Sequence, residues 1–366
     1  MDDVVLWIVV GTALAFDFTN GFHDTANAVA TSISTRAIPP RVAVTMAACL
    51  NFVGAFLSLQ VAATIASGIV DPDLITAAIV FAGLIGAITW NLATWYFGLP
   101  SSSSHALIGG VVGAAFVAKG PDAVLGAGIV EKVIVPGLVA PLLALAVTAV
   151  AISLAYRIVG RLHPGPVTRG FRLGQIITSS LFSLSHGTND AQKTMGVLFL
   201  ALVANGNLSV TDDVPTWVIL SAATAISLGT YVGGWRIIKT MGSRIIKMDP
   251  AQGFSAQGSG AAVILAASHA GYPLSTTHVI SGGIMGAGAA KRVSAVRWGV
   301  AGNIAVAWVL TIPAAGTTGA VVYGVAELFG GGAAGPVIIA ASLVVGLVVF
   351  TVRRFRAAPP HVEAPA

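Results

Sequence analysis

The chain has 366 residues, 55% hydrophobic and 9% charged, with a formal net charge of +5; soluble domains average about 25% charged residues, so a water-soluble globule is excluded. The excess base is scattered through short loops between apolar runs and forms no stripe, which speaks against a nucleic-acid partner and for the positive-inside pattern of a membrane protein. A single cysteine, Cys49, excludes an intrachain disulfide and a cysteine metal cluster, and it is read as a packing residue.

The chain opens Met1-Asp2-Asp3 with no basic region ahead of its first apolar segment, so that segment is expected to stay in the mature protein. Apolar runs follow at 41–66, 74–97, 129–156, 216–238, 298–325 and 333–352, with shorter ones at 104–118, 258–270 and 275–290. A bilayer-spanning helix needs roughly 20 residues. The runs are continuous and rich in Ala, Gly, Val and Leu, without the alternation of a barrel strand, so helices satisfy the backbone in lipid. The expected fold is an all-α polytopic membrane protein with about ten to twelve membrane segments in the cell (inner or plasma) membrane, with the lipid bilayer as its surroundings.

Charge assigns the loops to sides. Arg36 and Arg41, the group Arg157, Arg161, Arg169 and Arg172, the group Arg236, Lys239, Arg244 and Lys247, and the group Lys291, Arg292 and Arg297 are expected on the cytoplasmic face. Asp2 and Asp3, Asp71 and Asp73, and Asp212 and Asp213 stand in loops without base and are expected outside.

Two motifs occur twice. Asn20-Gly21-Phe22-His23-Asp24-Thr25-Ala26-Asn27 is echoed by His186-Gly187-Thr188-Asn189-Asp190-Ala191-Gln192-Lys193. Gly98-Leu99-Pro100-Ser101-Ser102-Ser103-Ser104-His105 is echoed by Gly271-Tyr272-Pro273-Leu274-Ser275-Thr276-Thr277-His278. The repeated Asp and His are 81 residues apart in the first half and 88 in the second. The loop after the first motif is basic in one half and acidic in the other, and the next loop reverses as well, so the halves are upside down relative to each other. Each half then holds an odd number of crossings, read as five. The expected organisation is a first transmembrane repeat over 1–156, a cytoplasmic linker at 157–173, a second, inverted repeat over 174–325, and a C-terminal transmembrane helix and tail at 326–366, with broken helices and re-entrant hairpins. That is an architecture of secondary transporters, with the substrate site at the repeat interface.

Asp24 and Asp190 lie in apolar sequence, where an ionised carboxylate costs at least about 2.5 kcal/mol. The Gly three residues earlier and the neighbouring amides and hydroxyls (Asn20, Thr25, Asn27; Thr188, Asn189, Gln192) suit a broken helix that offers oxygen ligands to a small cation; the competing reading is a carboxylate pinning an interhelical hydrogen-bond network. Asp24, Asn27, Asp190 and Asn189 are the candidate cation ligands. Gly-x-Pro followed by Ser or Thr marks a helix break and a capped helix start, and two such N-termini entering from opposite sides suit one tetrahedral oxyanion held by Ser102, Ser103, Ser104, Ser275, Thr276 and Thr277. Small hydroxyl residues packing helices together are the alternative. His105, His186 and His278 are read as supporting buried imidazoles with a proton-carrying option, Asn20 as a supporting amide, and Lys193 as a partner for Asp190 or for the anion, pairing being favoured. His23 flanks the first motif. Asp17 has no acidic echo, since Ser183 stands at the corresponding place, and it is assigned to the cation pathway or an outer vestibule.

At these residues the chain resembles the inorganic phosphate transporter (PiT) family, particularly its bacterial low-affinity phosphate permeases. The likeness is carried by Asn20 to Thr31, Trp90 to His105, Ser185 to Lys193 and Pro273 to His278, and it spans nearly the whole chain. It implies import of inorganic phosphate, in bacterial members often as a neutral divalent-metal phosphate, by symport with protons or sodium. Asp24 and Asp190 would then bind the coupling cation and the Ser/Thr clusters the phosphate. No cofactor is implied beyond the coupling proton or sodium, no metal ligands are assigned, and a homodimer is compatible. Some members carry glutamates where this chain has Asn51 and Gln257, so its ion-coupling site is expected to differ, and the long hydrophilic central loop of many relatives is absent. A sulfate permease is the nearest alternative. An intramembrane hydrolase, the enzymatic alternative, conflicts with the duplication of every candidate residue, because nucleophilic catalysis needs one Ser–His–acid set. A passive channel is distinguished by turnover that ignores ion gradients.

Overall fold

The computed structural model describes residues 3–330 and 332–357; Asp2 and the tail at 358–366 lie outside the described residues. The first half comprises α1 (Asp3–Ser34), α2 (Pro40–Gly54), α3 (Gln60–Ser67), α4 (Ala77–Phe97), α5 (Ser103–Lys119) and α6 (Gly126–Val159). The second comprises α7 (Pro164–Ala204), α8 (Thr216–Val232), α9 (Trp235–Arg244), α10 (Pro250–His269), α11 (Thr276–Lys291) and α12 (Trp298–Leu328), and α13 (Ala334–Ala357) follows. Element matches element in order. α1, α4, α6, α12 and the Ala334–Thr351 part of α13 are long and apolar enough to cross a membrane, and α8 with α9, bent by 59°, makes a sixth such span.

Each Gly-x-Pro motif is the tip of a helical hairpin. Gly98 and Gly271 take φ of +66° and +75°, a left-handed conformation that ends α4 and α10 at little cost only for glycine. Ser102 and Ser275 then cap the next helices, accepting from His105 N at 3.1 Å and His278 N at 3.3 Å. Both hairpins return to the face from which they start. Val70 bridges to Val124 at the base of α4–α5, and Arg297 N donates to Ile245 O at 2.9 Å at the base of α10–α11. Each half therefore holds three crossings plus a re-entrant hairpin, not five crossings. The odd parity stands, and with α13 the described residues hold eleven membrane segments.

The charged loops gather as their signs require. Asp212 and Asp213 line one cleft with Ala66 and Ser67, and Asp71 follows Ser67 by four residues in the chain. At the other end, Tyr156 Oη donates to Asp249 Oδ2 at 2.7 Å, Lys291 lies 3.6 Å from the same carboxylate, and Arg297 reaches Ser243 O at 3.1 Å. α1 runs from the acidic face to the basic face and α7 runs back, which is the inversion.

The two halves are exchanged in space. α5 packs on α12 and α11 on α6, while α1 and α7 cross at the centre, α1 against α8 and α7 against α2. The core therefore belongs to both halves jointly. Most of the 157–173 segment is helical, since α6 ends at Val159 and α7 begins at Pro164. Cys49, read as a packing residue, is exposed on α2.

Gly21 and Gly187, the glycines of the repeated Asp motif, do not break their helices: α1 and α7 run unbroken through both carboxylates. They allow close approach instead. A Cβ at Gly21 would stand 2.3 Å from Ile226 O, and one at Gly187 2.2 Å from Asn51 O. Small residues at such crossings let membrane helices pack backbone to backbone.

Candidate functional site: two carboxylates at the meeting of two hairpin tips

Asp24 on α1 and Asp190 on α7 face each other at the centre of the molecule, 2% and 0% exposed. The inversion puts both at one depth, and the N-termini of α5 and α11 come in above and below. Ser103 Oγ donates to Asp24 Oδ2 at 2.8 Å, and Thr277 Oγ1 reaches Asp24 Oδ1 at 3.3 Å. Thr276 Oγ1 lies 3.4 Å from Asp24 Oδ2 and 3.2 Å from Asp190 Oδ2, so one hydroxyl bridges both acids. Asn27 Nδ2 donates to Thr276 and Thr277 at 3.1 and 2.9 Å, orienting both oxygens.

The two acids are balanced differently. His23 Nδ1 is 2.6 Å from Asp24 Oδ1, and its Nε2 is 3.0 Å from Thr94 Oγ1. Asp190 instead meets Lys193 Nζ at 2.5 Å and His186 Nε2 at 3.1 Å. Lys193 also donates to Ser104 Oγ at 2.5 Å and Leu274 O at 2.9 Å, and Ser104 to Leu274 O at 3.1 Å, so one ammonium joins the tips of both hairpins. Ligand atoms of Asp24, His186 and Asp190 lie within 4.8 Å of one another, a spacing that fits a small cation.

Of the residues singled out in the sequence, Asp24, Asp190, Asn27, Ser103, Ser104, Thr276, Thr277, His186 and Lys193 come together here. Ser102 and Ser275 use their oxygen lone pairs as helix caps. Asn189 turns away from the carboxylates, donating to Ser268 Oγ at 2.8 Å and Tyr272 O at 3.2 Å, and so anchors the second hairpin tip. Gln192 accepts from Val61 N at 2.8 Å, holding the start of α3. His105 and His278 meet edge to face with ring centroids 4.9 Å apart, and His278 Nδ1 is 3.4 Å from Gly137 O, so both sit behind the Ser/Thr row. Asn20 lies one helical turn from Asp24, with both amide atoms unpartnered. Thr94 and the role of His23 were not legible in sequence, since a lone threonine in an apolar run carries no signal.

Asn51 and Gln257 are tied as amides. Asn51 Nδ2 donates to Thr230 Oγ1 at 2.8 Å while its Oδ1 lies 3.1 Å from His186 Nδ1; Gln257 Nε2 donates to Ala28 O at 2.6 Å while its Oε1 accepts from Ser179 at 2.5 Å. Each uses both its donor and its acceptor, as a carboxylate would not.

Two half-helices entering from opposite faces, their N-termini meeting over a buried pair of acids inside an exchanged inverted repeat, define a polytopic membrane transporter. Comparison with known proteins names the kind. The model of the phosphate transporter family matches twice, over residues 20–166 and 161–319. A probable low-affinity inorganic phosphate transporter of Mycobacterium bovis is 57% identical over 328 residues, 89% of this chain and 79% of that protein. Proteins of the same description from Rhizobium meliloti and Bacillus subtilis are 49% and 46% identical, over 87% and 86% of this chain and 96% and 95% of their own lengths. A solved structure described as the sodium-dependent phosphate transporter superposes with a TM-score of 0.80 at 27% identity, covering 89% of this chain and 99% of that one. The chain belongs to the phosphate transporter family.

Proposed function

We propose that the protein imports inorganic phosphate by cation symport, with the Asp24–Asp190 pair as the cation site and the tips of the two hairpins as the anion site. The observation that carries this reading is the Thr276 hydroxyl shared between Asp24 and Asp190, because it suggests how the two ligands are coupled. A hydroxyl has one proton to donate. Here the protons of Ser103, Thr276 and Thr277 point at carboxylates, so none is free for an anion. A cation or proton taken up between the acids removes their demand, and the same hydroxyls then turn to phosphate together with the N-termini of α5 and α11.

Charge supports the same order of events. Among the described residues the buried charged side chains are Asp17, Asp24, Asp190 and Lys193. A phosphate entering beside three acids and one base meets net repulsion in a medium of low dielectric, so cations have to precede or accompany it. A neutral divalent-metal phosphate meets the same requirement. Phosphate near neutral pH retains a hydroxyl that Asp24 or Asp190 can accept, and sulfate has none, which favours phosphate.

The enzymatic alternative draws on Ser101 Oγ at 3.3 Å from His23 Nε2, with His23 in turn on Asp24. Ser101, however, donates at 2.8 Å to Thr94, so its proton is directed away from the imidazole, opposite to what a nucleophile needs. The decisive experiment is uptake of labelled phosphate and sulfate into proteoliposomes, with and without divalent metal, under proton and sodium gradients imposed separately. Accumulation of phosphate against its gradient, dependent on one of the cations, is the expected result; equal rates with and without any gradient would identify a channel.

A further inference from the structure

One buried acid adds its charge to this arrangement but makes no hydrogen bond to Asp24, Asp190 or the hairpin tips. Asp17 is 0% exposed, and neither carboxylate oxygen has a hydrogen-bond partner. Around it lie further unpartnered groups: both amide atoms of Asn20 and of Asn91, and the hydroxyl of Thr194, at 1%, 0% and 0% exposure. Helix register brings them together. α1 and α4 run parallel, with Val5 beside Ala77 at one end and His23 on Thr94 further along, which sets Asn20 opposite Asn91. α1 and α7 run antiparallel, and the pairing of Asp24 with Asp190 sets Asn20 opposite Thr194. Asn20 and Thr194 stand nearest the Asp17 carboxylate, within reach of weak side-chain hydrogen bonds, and the charges of Asp190 and Lys193 act on it.

A cluster of four buried, unpartnered oxygen-bearing side chains is costly unless a ligand completes it. A proton on Asp17 would neutralise the acid but leave both amide atoms of Asn91 without a partner. A cation takes oxygen from every member of the set. One carboxylate among neutral oxygens balances a single positive charge, and a divalent ion would carry surplus charge beside the Lys193 ammonium. The repeat sharpens the point. The positions equivalent to Asp17, Asn20, Asn91 and Thr194 in the other half are Ser183, His186, Ile264 and Ala28. Ser183 is bonded to Ser179 O at 2.8 Å, and His186 lies on Asp190 and Asn51. The cluster is therefore absent from the second half, where symmetry alone would have placed a copy.

We propose that Asp17, Asn20, Asn91 and Thr194 form a second cation site for a monovalent ion of sodium size, on the acidic-face side of the Asp24–Asp190 pair. It rests on the transport reading for its role, and it makes the transporter asymmetric: the ion bound here lies between the acidic face and the centre, so it enters before the central site fills.

The test is equilibrium binding of labelled sodium to the purified full-length protein in lipid nanodiscs, without phosphate, and the ratio of sodium to phosphate flux in proteoliposomes. Asp17→Asn is expected to bind one sodium fewer per protein than wild type and to lower the flux ratio by one. Thr194→Val and Asn91→Ala, which keep the carboxylate, are expected to raise the half-saturating sodium concentration roughly tenfold or more; these two decide the question alone if Asp17→Asn is not monodisperse. Equal sodium counts and equal flux ratios in wild type and Asp17→Asn overturn the site. So does a wild type that binds no sodium yet accumulates phosphate on a proton gradient, which leaves the phosphate reading intact. Absence of phosphate uptake under either gradient overturns the transport reading instead, and the sodium count of Asp17→Asn still decides this site.

Discussion

Ser103 Oγ sits 2.8 Å from Asp24 Oδ2 although 79 residues separate them. The contact places the start of α5 directly on the acid of α1, so whatever changes the charge of Asp24 is felt at once by a hydroxyl of the proposed anion site.

Ser103→Ala and Thr276→Val are therefore expected to raise the half-saturation concentration for phosphate by roughly tenfold or more, since a hydrogen bond to a charged group is worth about 1.5–3 kcal/mol. The measurement is the concentration dependence of labelled phosphate uptake. Unchanged uptake in both variants removes the hydroxyls from the anion site.

Asp24→Asn is expected to leave the protein folded and to abolish gradient-driven accumulation, because Asn keeps size and hydrogen bonding but loses the charge. Asp190→Asn is expected to lose transport and stability together: it strands the buried ammonium of Lys193, and breaking a buried pair costs about 3–5 kcal/mol. The double variant Asp190→Asn with Lys193→Met is expected to recover thermal stability but not uptake. A thermal melt beside an uptake assay reads both, and an Asp24→Asn protein with normal coupled uptake would sink the cation assignment.

Gly21→Ala and Gly187→Ala are each expected to destabilise the protein, because the added methyl meets backbone oxygen at 2.3 and 2.2 Å. Neither side chain touches the carboxylates, so the loss is to be read as reduced yield of monodisperse protein. Full yield in both would mean that α1 and α7 pack less tightly than described.

Labels at Arg161 and Lys247 are expected to be accessible from the cytoplasm, and labels at Asp71 and Asp212 from outside. Cys49→Ala gives a cysteine-free background at small cost, since that side chain is exposed on α2 and such substitutions usually stay within about 0.5 kcal/mol. Labelling that puts positions 71 and 247 on one side contradicts the inversion.

The sequence alone determined the membrane class, the two repeats and their inversion, because apolar run length, loop charge and duplicated motifs are local and additive properties. It also marked the Gly-x-Pro tips and their caps, whose chemistry is contained in a few consecutive residues. Tertiary structure decided the rest. Whether Gly21 and Gly187 break a helix or admit a neighbour depends on the backbone packed against them, and here it is Ile226 and Asn51. Asn27 and Asn189 look alike in their motifs, yet one orients Thr276 and Thr277 while the other holds Tyr272 O. Asn27 stands three residues after its Asp and Asn189 one residue before its own, which is about 6 Å apart along a helix axis, so the two amides meet different neighbours. The joining of Thr276 to Asp24 across 252 residues, and the gathering of Asp17, Asn20, Asn91 and Thr194 from three helices, follow from the rotation and register of packed helices, which no local pattern encodes.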